Sequence, residues 1–319
     1  MYNISDKYKP YLIFLLKLLI VLAASYFIYY KLNYNNQLSF EKFKITLFHL
    51  FENNLFYLLF LIVLTDINWV LEIIKWQLLV NTFKNISFFD AYQQTIAAHT
   101  VSFFTPNKLG EYPAKMLFFK KKFRKKILAL NFIGNFGQLL TTILFGIVGN
   151  CFILYYYNIN LHPVKLKYVF IALIFVISIF LILIFTQGIE TLRKLFNKGL
   201  QYFKNIAKKI YFNVTILSVL RYLVFSHQFY YLMVLYNVEI HYFTLLPFIF
   251  AMYFLASIIP VLAIFDWVIK GSIAVWLFSY LGINQLTMLT ITTIMWILNF
   301  AIPAIIGSVF VLHFKPLER

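Results

Sequence analysis

The stretch TPNKLGEYPAK, residues 105–115, places two lysines, a glutamate, a glycine and two prolines inside an otherwise apolar chain. Proline removes a backbone donor and clashes with the preceding turn of a helix, so we expect a helix to end near Thr105. The stretch therefore predicts a helix break with charges gathered around it. The segments on either side decide where in the fold that break lies.

The chain as a whole is too apolar for a water-soluble domain. It is 62% hydrophobic and 12% charged, with a mean hydropathy of +0.80, whereas soluble domains carry about 25% charged residues. Runs such as residues 11–30 and 166–185 reach the roughly 20 residues that cross a bilayer as a helix. The first run is too long for a secretory signal peptide and is expected to remain as a helix. The sequence thus predicts an all-α, polytopic membrane helix bundle.

The formal net charge of +17 comes mostly from lysine. Cytoplasmic loops of membrane proteins collect Lys and Arg, so this charge is expected in such loops and predicts no nucleic-acid partner. The single cysteine, Cys151, leaves no cysteine-based metal motif. We predict neither a metal site nor a cofactor.

The densest basic run, KKKFRKK at residues 120–126, orients the chain when it is placed in the cytoplasm. A helix at 11–30 then leaves the cytoplasm, and a helix at about 54–80 returns to it. Residues 88–119 must start and end on the cytoplasmic side, so they are predicted to form a re-entrant hairpin that breaks at Pro106. Non-helical backbone at membrane depth is tolerated only where it lines a polar cavity.

The rest of the chain continues the crossing count. Residues 243–282 are predicted to form a second hairpin, which enters from outside and breaks at Pro260. The remaining predicted segments are helices at 127–157, 166–186, 213–236 and 287–313, and an amphipathic cytoplasmic segment at 190–209. This layout puts both termini in the cytoplasm and suits a bacterial-type inner membrane.

The two halves of the chain repeat one series of elements. Residues 1–160 read as helix, helix, hairpin and helix starting inside, and residues 161–319 read the same starting outside. Similar residue types recur at a nearly constant offset, with Pro106, Glu111 and Lys115 in the first half and Pro260, Asp266 and Lys270 in the second. Two inverted repeats, each with a re-entrant hairpin, are typical of alternating-access transporters.

Ten charged residues are predicted at membrane depth: Lys17, Asp66, Glu72, Lys75, Lys108, Glu111, Lys115, Arg221, Asp266 and Lys270. A charge at the bilayer centre costs about 2.5–3.5 kcal/mol, so we expect these groups to be paired or hydrated in a shared interior. Simpler interpretations exist for some of them. Lys17 lies near a helix end and can reach the interface, and Glu72 with Lys75 can form an i, i+3 pair. For His99 and His227, a role as buried polar residues is favoured over a role as proton carriers.

The hairpin tips predict a site for an anion. Thr105 is expected to cap the second helix of the first hairpin, with Pro106 in its first turn. The free N–H groups of that turn would then face the bound anion. Lys108 and Lys115 supply countercharge, and Gly110 allows close approach. The predicted substrate-binding residues are Thr105, Pro106, Lys108, Gly110, Glu111, Lys115, Arg221 as a phosphate-gripping fork, Asp266 and Lys270. The candidates for coupling transport to protons are Glu111, Asp66, Asp266, His99 and His227.

The segment SFFTPNKLGEYPAK, residues 102–115, resembles the Pro…Gly-Glu…Lys/Arg signature of the lysylphosphatidylglycerol synthase transmembrane region, whose stand-alone members are called flippase-like. The resemblance spans nearly the whole chain and carries the motif roles to Pro106, Gly110, Glu111 and Lys115. The second conserved region falls on residues 258–272, where Phe265-Asp266-Trp267 replaces a glycine-rich run and Lys270-Gly271 stands where Glu-Gly is usual. The resemblance implies lipid translocation between leaflets. The aminoacyl-transferase activity of the bifunctional members is not expected here.

Two functions are compatible with these features. The first is translocation of an anionic lipid or lipid-linked intermediate, with membrane lipids as partners and homo-oligomerisation as an open question. The alternative is a membrane-embedded accessory or transferase subunit in envelope lipid or glycoconjugate assembly. The sequence contains no H-E-x-x-H, G-x-S-x-G or P-loop motif, and the predicted outer loops are short. We therefore expect a protein that is not an enzyme.

Overall fold

The computed structural model describes residues 55–103, 105, 108–157, 206–259 and 261–314, together with Glu41, Phe43, Ile45 and Phe48. The predicted helices at 11–30 and 166–186 lie outside the described residues. So do Lys17, most of the amphipathic segment at 190–209, and both break prolines, Pro106 and Pro260.

The described part of the chain is all-helical. Its helices are α1 (Leu55–Val80), α2 (Phe88–Ser102), α3 (Glu111–Leu117), α4 (Arg124–Tyr156), α5 (Lys208–Leu235), α6 (Tyr242–Ile258), α7 (Asp266–Phe278), α8 (Gln285–Trp296) and α9 (Ile302–Leu312). A π-helical turn, Ile297–Ala301, joins α8 to α9. Within the described residues, four segments are long and apolar enough to cross a membrane: Phe56–Val80, Lys121–Tyr156, Lys208–Leu235 and Gln285–Leu312. The protein is a multi-pass membrane protein.

Each predicted hairpin region contains two helices separated by a break. In the first, α2 starts with a capping box between Ser87 and Asp90, in which each side chain accepts the backbone N–H of the other residue. The helix stops at Ser102, and α3 begins only at Glu111. We call residues 103–110 the first break and residues 259–265 the second break. The helices α2 and α3 pack against each other, as do α6 and α7.

The first helix pair, α2–α3, starts and finishes at one end of the bundle. The start of α2 and the segment after α3 share a buried cluster with the end of α1 and the starts of α4 and α5. Phe83 after α1 lies 6.0 Å from the ring of Phe119 and 5.4 Å from that of Phe123. Exposed lysines crowd this end at Lys84, Lys120, Lys121, Lys122, Lys125, Lys208 and Lys209. We call it the basic end.

The second helix pair, α6–α7, starts and finishes at the opposite end. The ring of Phe248 in α6 lies 5.1 Å from Tyr157, just after α4, and 5.8 Å from Phe278, the last residue of α7. The chain after α9 is back at the basic end, because Phe314 lies 4.7 Å from Phe118. These contacts are what two inverted repeats require, although the repeat and its placement in a membrane stay predictions.

Glycines allow close backbone contact between α9 and α2 and between α4 and α6. A Cβ atom on Gly307 of α9 would lie 2.4 Å from the carbonyl oxygen of Ile96 in α2. A Cβ atom on Gly149 of α4 would lie 2.4 Å from the carbonyl oxygen of Pro247 in α6. Small residues at such crossings allow membrane helices to approach closely. The first helix of each pair is therefore fixed against a long helix from the other half of the chain.

Candidate functional site

A cavity of about 260 Å³ lies between the two breaks. Its charged lining residues are Lys108 from the first break, Arg221 from α5, and Asp266 and Lys270 from the start of α7. Its neutral polar lining includes Asn68, Gln138, Thr142, Ser257, Thr292 and Asn299. Among the described lining residues, three cations face one carboxylate. The charged side chains of the lining are therefore net positive, and apolar residues make up much of the remaining surface.

Lys108 enters the cavity from the first break. Its backbone has φ 57°, in the left-handed region, which costs a residue with a side chain about 1–2 kcal/mol. Its ammonium nitrogen lies 4.3 Å from the centre of the Phe300 ring. In the described part of the chain it has no carboxylate partner within ion-pair distance. Its charge is therefore available to an anionic guest.

Lys270 enters the cavity from α7, on the other side of Phe300. Its ammonium nitrogen pairs with Asp266 at 2.6 Å, one helical turn earlier. The same nitrogen lies 5.1 Å from the centre of the Phe300 ring. The sequence analysis placed Lys108 and Lys270 in one site, and the structure brings them to the same ring.

Arg221 lines the cavity, but protein groups already hold part of its guanidinium. Nη1 lies 2.8 Å from a carboxylate oxygen of Glu72, and Nε donates to Asn68 at 3.1 Å. Glu72 also pairs with Lys75 at 2.7 Å, which confirms the predicted pair. α1 thus supplies acceptors to two of the guanidinium nitrogens, and the phosphate-gripping role of Arg221 stays a prediction.

A chain of neutral amides continues from Arg221 and was missed by the sequence analysis. Asn68 donates to Asn299 at 2.8 Å, and Asn299 donates to Gln228 at 2.9 Å. Gln228 in turn donates to the Thr65 hydroxyl at 2.8 Å. All four side chains are buried. The available signal was a polar residue at the centre of an apolar run, as in WILNFAI around Asn299.

Glu111 and Lys115 lie in α3, outside the cavity lining. The Lys115 ammonium group contacts the Glu111 carboxylate and donates to Asn131 at 2.9 Å. It also lies 4.1 Å from the centre of the Trp76 ring. Lys115 is 1% exposed, so its charge is already satisfied inside the protein. Neither residue is among those that line the cavity together with Lys108, Arg221 and Lys270.

The predicted helix start at Pro106 is wrong, because α3 begins at Glu111. The Thr105 hydroxyl does accept a backbone N–H, but that of Gly110, at 2.8 Å. A Cβ atom on Gly110 would lie 2.9 Å from the Thr105 side chain and 3.0 Å from the carbonyl oxygen of Val101. The space over Gly110 is therefore filled by the protein's own turn, and no head group approaches there.

The other coupling candidates are dispersed. Asp66 is exposed on α1 and is absent from the cavity lining. His99 is buried in α2, where its Nε2 lies 3.2 Å from the carbonyl oxygen of Phe300. His227 lies 2.8 Å from the carbonyl oxygen of Leu223 through Nδ1 and 2.7 Å from the Tyr242 hydroxyl through Nε2. Only Asp266 of the five candidates lines the cavity.

Two polar side chains on the cavity lining have hydrogen-bonding atoms that are unused within the described part of the chain. They are the amide of Gln138 and the indole N–H of Trp296. A buried polar group without a partner is costly, so such atoms favour a bound polar molecule or water. No group of three His, Cys, Asp or Glu side chains that could hold a metal ion occurs among the described residues.

A comparison with protein families supplies one match, and it spans most of the chain. Residues 14–307 match the family described as the lysylphosphatidylglycerol synthase TM region. The match includes both breaks and every residue of the cavity lining. No curated protein and no solved structure matches the chain. The protein therefore belongs to the lysylphosphatidylglycerol synthase transmembrane-region family.

Proposed function

We propose that this protein moves an anionic lipid, or a lipid-linked intermediate with an anionic head group, between the leaflets of a membrane. One observation carries the proposal: a cavity between the two helix breaks whose charged lining is Lys108, Arg221 and Lys270 against Asp266 alone among the described carboxylates. A cavity of that charge lowers the cost of bringing a negative group to membrane depth.

The size of the cavity favours a head group as the guest. Pockets for small ligands occupy about 300–1,000 Å³, and this one is at the lower limit with about 260 Å³. It has room for a phosphate with a small polar substituent, whereas two acyl chains would have to stay in the surrounding lipid. Gln138 and Trp296 also line the cavity, and the amide of the first and the indole N–H of the second have no hydrogen-bond partner in the described chain.

The arrangement of the helix pairs supports alternating access. The pair α2–α3 starts and finishes at the basic end, and α6–α7 does so at the opposite end. If both pairs are re-entrant hairpins of inverted repeats, rocking one repeat against the other opens the cavity to one leaflet at a time. We place the basic end in the cytoplasm, following the positive-inside rule.

The residues take different roles in this proposal. Lys108 and Lys270 meet the anionic group, and Arg221 raises the local potential while remaining tied to Glu72. Asp266 is our candidate for coupling transport to protons. Its carboxylate is paired with Lys270 and loses that partner when the lipid head group binds the lysine. Glu111, which the sequence analysis favoured for coupling, instead stabilises α3 through Lys115.

Purified protein in vesicles tests the proposal. Fluorescently labelled phosphatidylglycerol and phosphatidylcholine are placed in both leaflets, and an impermeant reductant bleaches the outer one. We expect the protein to expose inner phosphatidylglycerol faster than inner phosphatidylcholine. Lys108→Asn should lower the phosphatidylglycerol rate at least about tenfold, equivalent to about 1.4 kcal/mol on the barrier. Asn tolerates the left-handed backbone at this position, so the variant should fold.

The matched control is Lys121→Asn, which removes the same charge from an exposed site at the basic end. It should transport at the parental rate. Equal rates for the Lys108 and Lys121 variants would remove the cavity from the mechanism. A protein that moves neither lipid would favour the alternative role, an accessory or transferase subunit in envelope lipid assembly.

A further inference from the structure

One aromatic ring contacts a lysine of the first break and a lysine of α7, the helix that follows the second break. The ammonium nitrogen of Lys108 lies 4.3 Å from the centre of the Phe300 ring, and that of Lys270 lies 5.1 Å from it. The two lysines are 162 positions apart in the sequence. Phe300 itself lines the cavity from the π-helical turn of the last long helix. A single ring is therefore shared by two cations that line the cavity, one of which, Lys270, also pairs with Asp266.

The ring differs from a carboxylate in what it does to a lysine. Glu111 binds Lys115 through a full negative charge, and that ammonium group is 1% exposed and neutralised. An aromatic face attracts an ammonium group through its quadrupole and leaves the positive charge in place. Lys108 contacts the ring and has no ion pair in the described chain, so the ring orients its ammonium group without a neutralising carboxylate. A guest phosphate then meets a fixed cation.

The structure also fixes the ring. Phe300 lies in the π-helical turn Ile297–Ala301, and its carbonyl oxygen lies 3.2 Å from Nε2 of His99 in α2. The imidazole also packs edge-on against the ring, with centroids 5.5 Å apart. His99 of α2 therefore helps to fix Phe300, the residue whose ring contacts the two lysines. The left-handed backbone of Lys108 is a second sign that its side-chain position is imposed by its surroundings.

We propose that Phe300 is a positioning residue: its ring helps to hold the ammonium groups of Lys108 and Lys270 in place at the cavity, so that both meet one anionic head group. The inference rests on the proposed transport of such a lipid and adds the group that prepares the site. Because the lysines are placed before the guest arrives, less conformational freedom is lost on binding. The effect depends on the electron density of the ring and not on its volume alone.

Three substitutions at Phe300 separate the charge distribution of the ring from its shape. Phe300→Leu removes the ring, Phe300→Trp keeps an electron-rich face, and pentafluorophenylalanine keeps the shape while reversing the quadrupole. We would titrate detergent-solubilised protein with short-chain dihexanoyl-phosphatidylglycerol, and measure lipid movement in vesicles against the mole fraction of anionic lipid. The Leu and pentafluoro variants should weaken binding about tenfold, which corresponds to about 1.4 kcal/mol. The Trp variant should bind near the parental level.

The pentafluoro variant should also unfold at the parental temperature and keep the parental maximal rate, a split that a merely structural role would not produce. Phe310→Leu is the matched control, because Phe310 lies on α9 and packs against the rings of Phe89 and Tyr92. It should leave lipid affinity unchanged.

The two proposals fail in different ways. Parental affinity in the pentafluoro variant would overturn the role of Phe300, whether or not the protein moves lipid. A parental protein that binds the short-chain lipid but moves none would overturn transport and leave the positioning role standing. A parental protein that does not bind the lipid would overturn both.

Discussion

Arg221 of α5 and Glu72 of α1 form an ion pair of 2.8 Å beside the cavity, and the same Glu72 carboxylate oxygen lies 2.7 Å from the ammonium nitrogen of Lys75. One carboxylate thus serves two cations. Glu72 and Lys75 are 7% and 2% exposed, so neither charge is satisfied by water.

The first prediction follows from this sharing. Glu72→Gln leaves two cations without a carboxylate, and breaking a buried pair costs about 3–5 kcal/mol. Lys75→Met leaves Glu72 paired with Arg221 and should cost clearly less. Thermal unfolding of both variants in detergent measures the order. Equal losses of stability would mean that Arg221 does not depend on Glu72.

The second prediction concerns Glu111 and Lys115 in α3. Lys115→Met removes the partner of a partly buried carboxylate, so it should lower the unfolding temperature strongly. The double variant Glu111→Gln with Lys115→Met leaves no unpaired charge and should recover much of the stability. Lipid movement by the folded double variant should stay at the parental rate, because neither side chain lines the cavity. A stable double variant with impaired transport would instead support the role of Glu111 in coupling transport to protons, which its sequence motif suggests.

The third prediction concerns the contact between Gly307 and α2. Gly307→Ala places a methyl group 2.2 Å from the Thr100 hydroxyl oxygen and 2.4 Å from the carbonyl oxygen of Ile96. Overpacking of this kind typically costs about 1–3 kcal/mol. Adding Thr100→Ala should not rescue the variant, because the Ile96 carbonyl belongs to the backbone and cannot be trimmed. Rescue by Thr100→Ala, seen as a restored unfolding temperature, would show that the helices can shift to accept the methyl group.

The fourth prediction concerns orientation in the membrane. In a Cys151→Ala background, cysteines in place of Lys122 and Lys208 should react with an impermeant maleimide only from the cytoplasmic side. A cysteine in place of Glu239 should react only from outside, because Glu239 follows α5 at the opposite end. Labelling of the Lys122 position in intact cells would reverse the topology.

The sequence predicted the helices and breaks well because their signals are local. An apolar run of sufficient length and a proline beside charged residues are visible within about 20 residues, and α1, α4 and α5 lie where such runs predicted them. The start of α3 was misplaced because Thr105 and Pro106 fit a helix start, whereas Thr105 closes a turn onto Gly110. Local chemistry alone does not distinguish these two uses of a threonine.

The composition of the site was harder to predict because its contacts are distant in sequence. Asn68 reaches Asn299 across 231 positions, and Arg221 reaches Asn68 across 153. A search for charges found Lys108, Arg221, Asp266 and Lys270, but it also selected Lys115, which the fold uses internally. Asn299 stands out in the sequence only as a polar residue within an apolar run, and Phe300 carries no distinctive signal in an apolar helix. Their role depends on which side of that helix faces the breaks.

The π-helical turn at Ile297–Ala301 determines which side of the last long helix is turned toward the breaks. Successive residues of a regular α-helix are rotated by about 100° around the helix axis. A π-type turn adds one extra residue while the helix continues. The turn therefore changes the angular phase between α8, which packs on α7, and α9, which packs on α2. Deleting one residue within it would restore a regular helix and swing Gly307 about 100° away from Ile96. For this helix, the number of residues between Trp296 and Ile302 should tolerate change less readily than their chemical identity does.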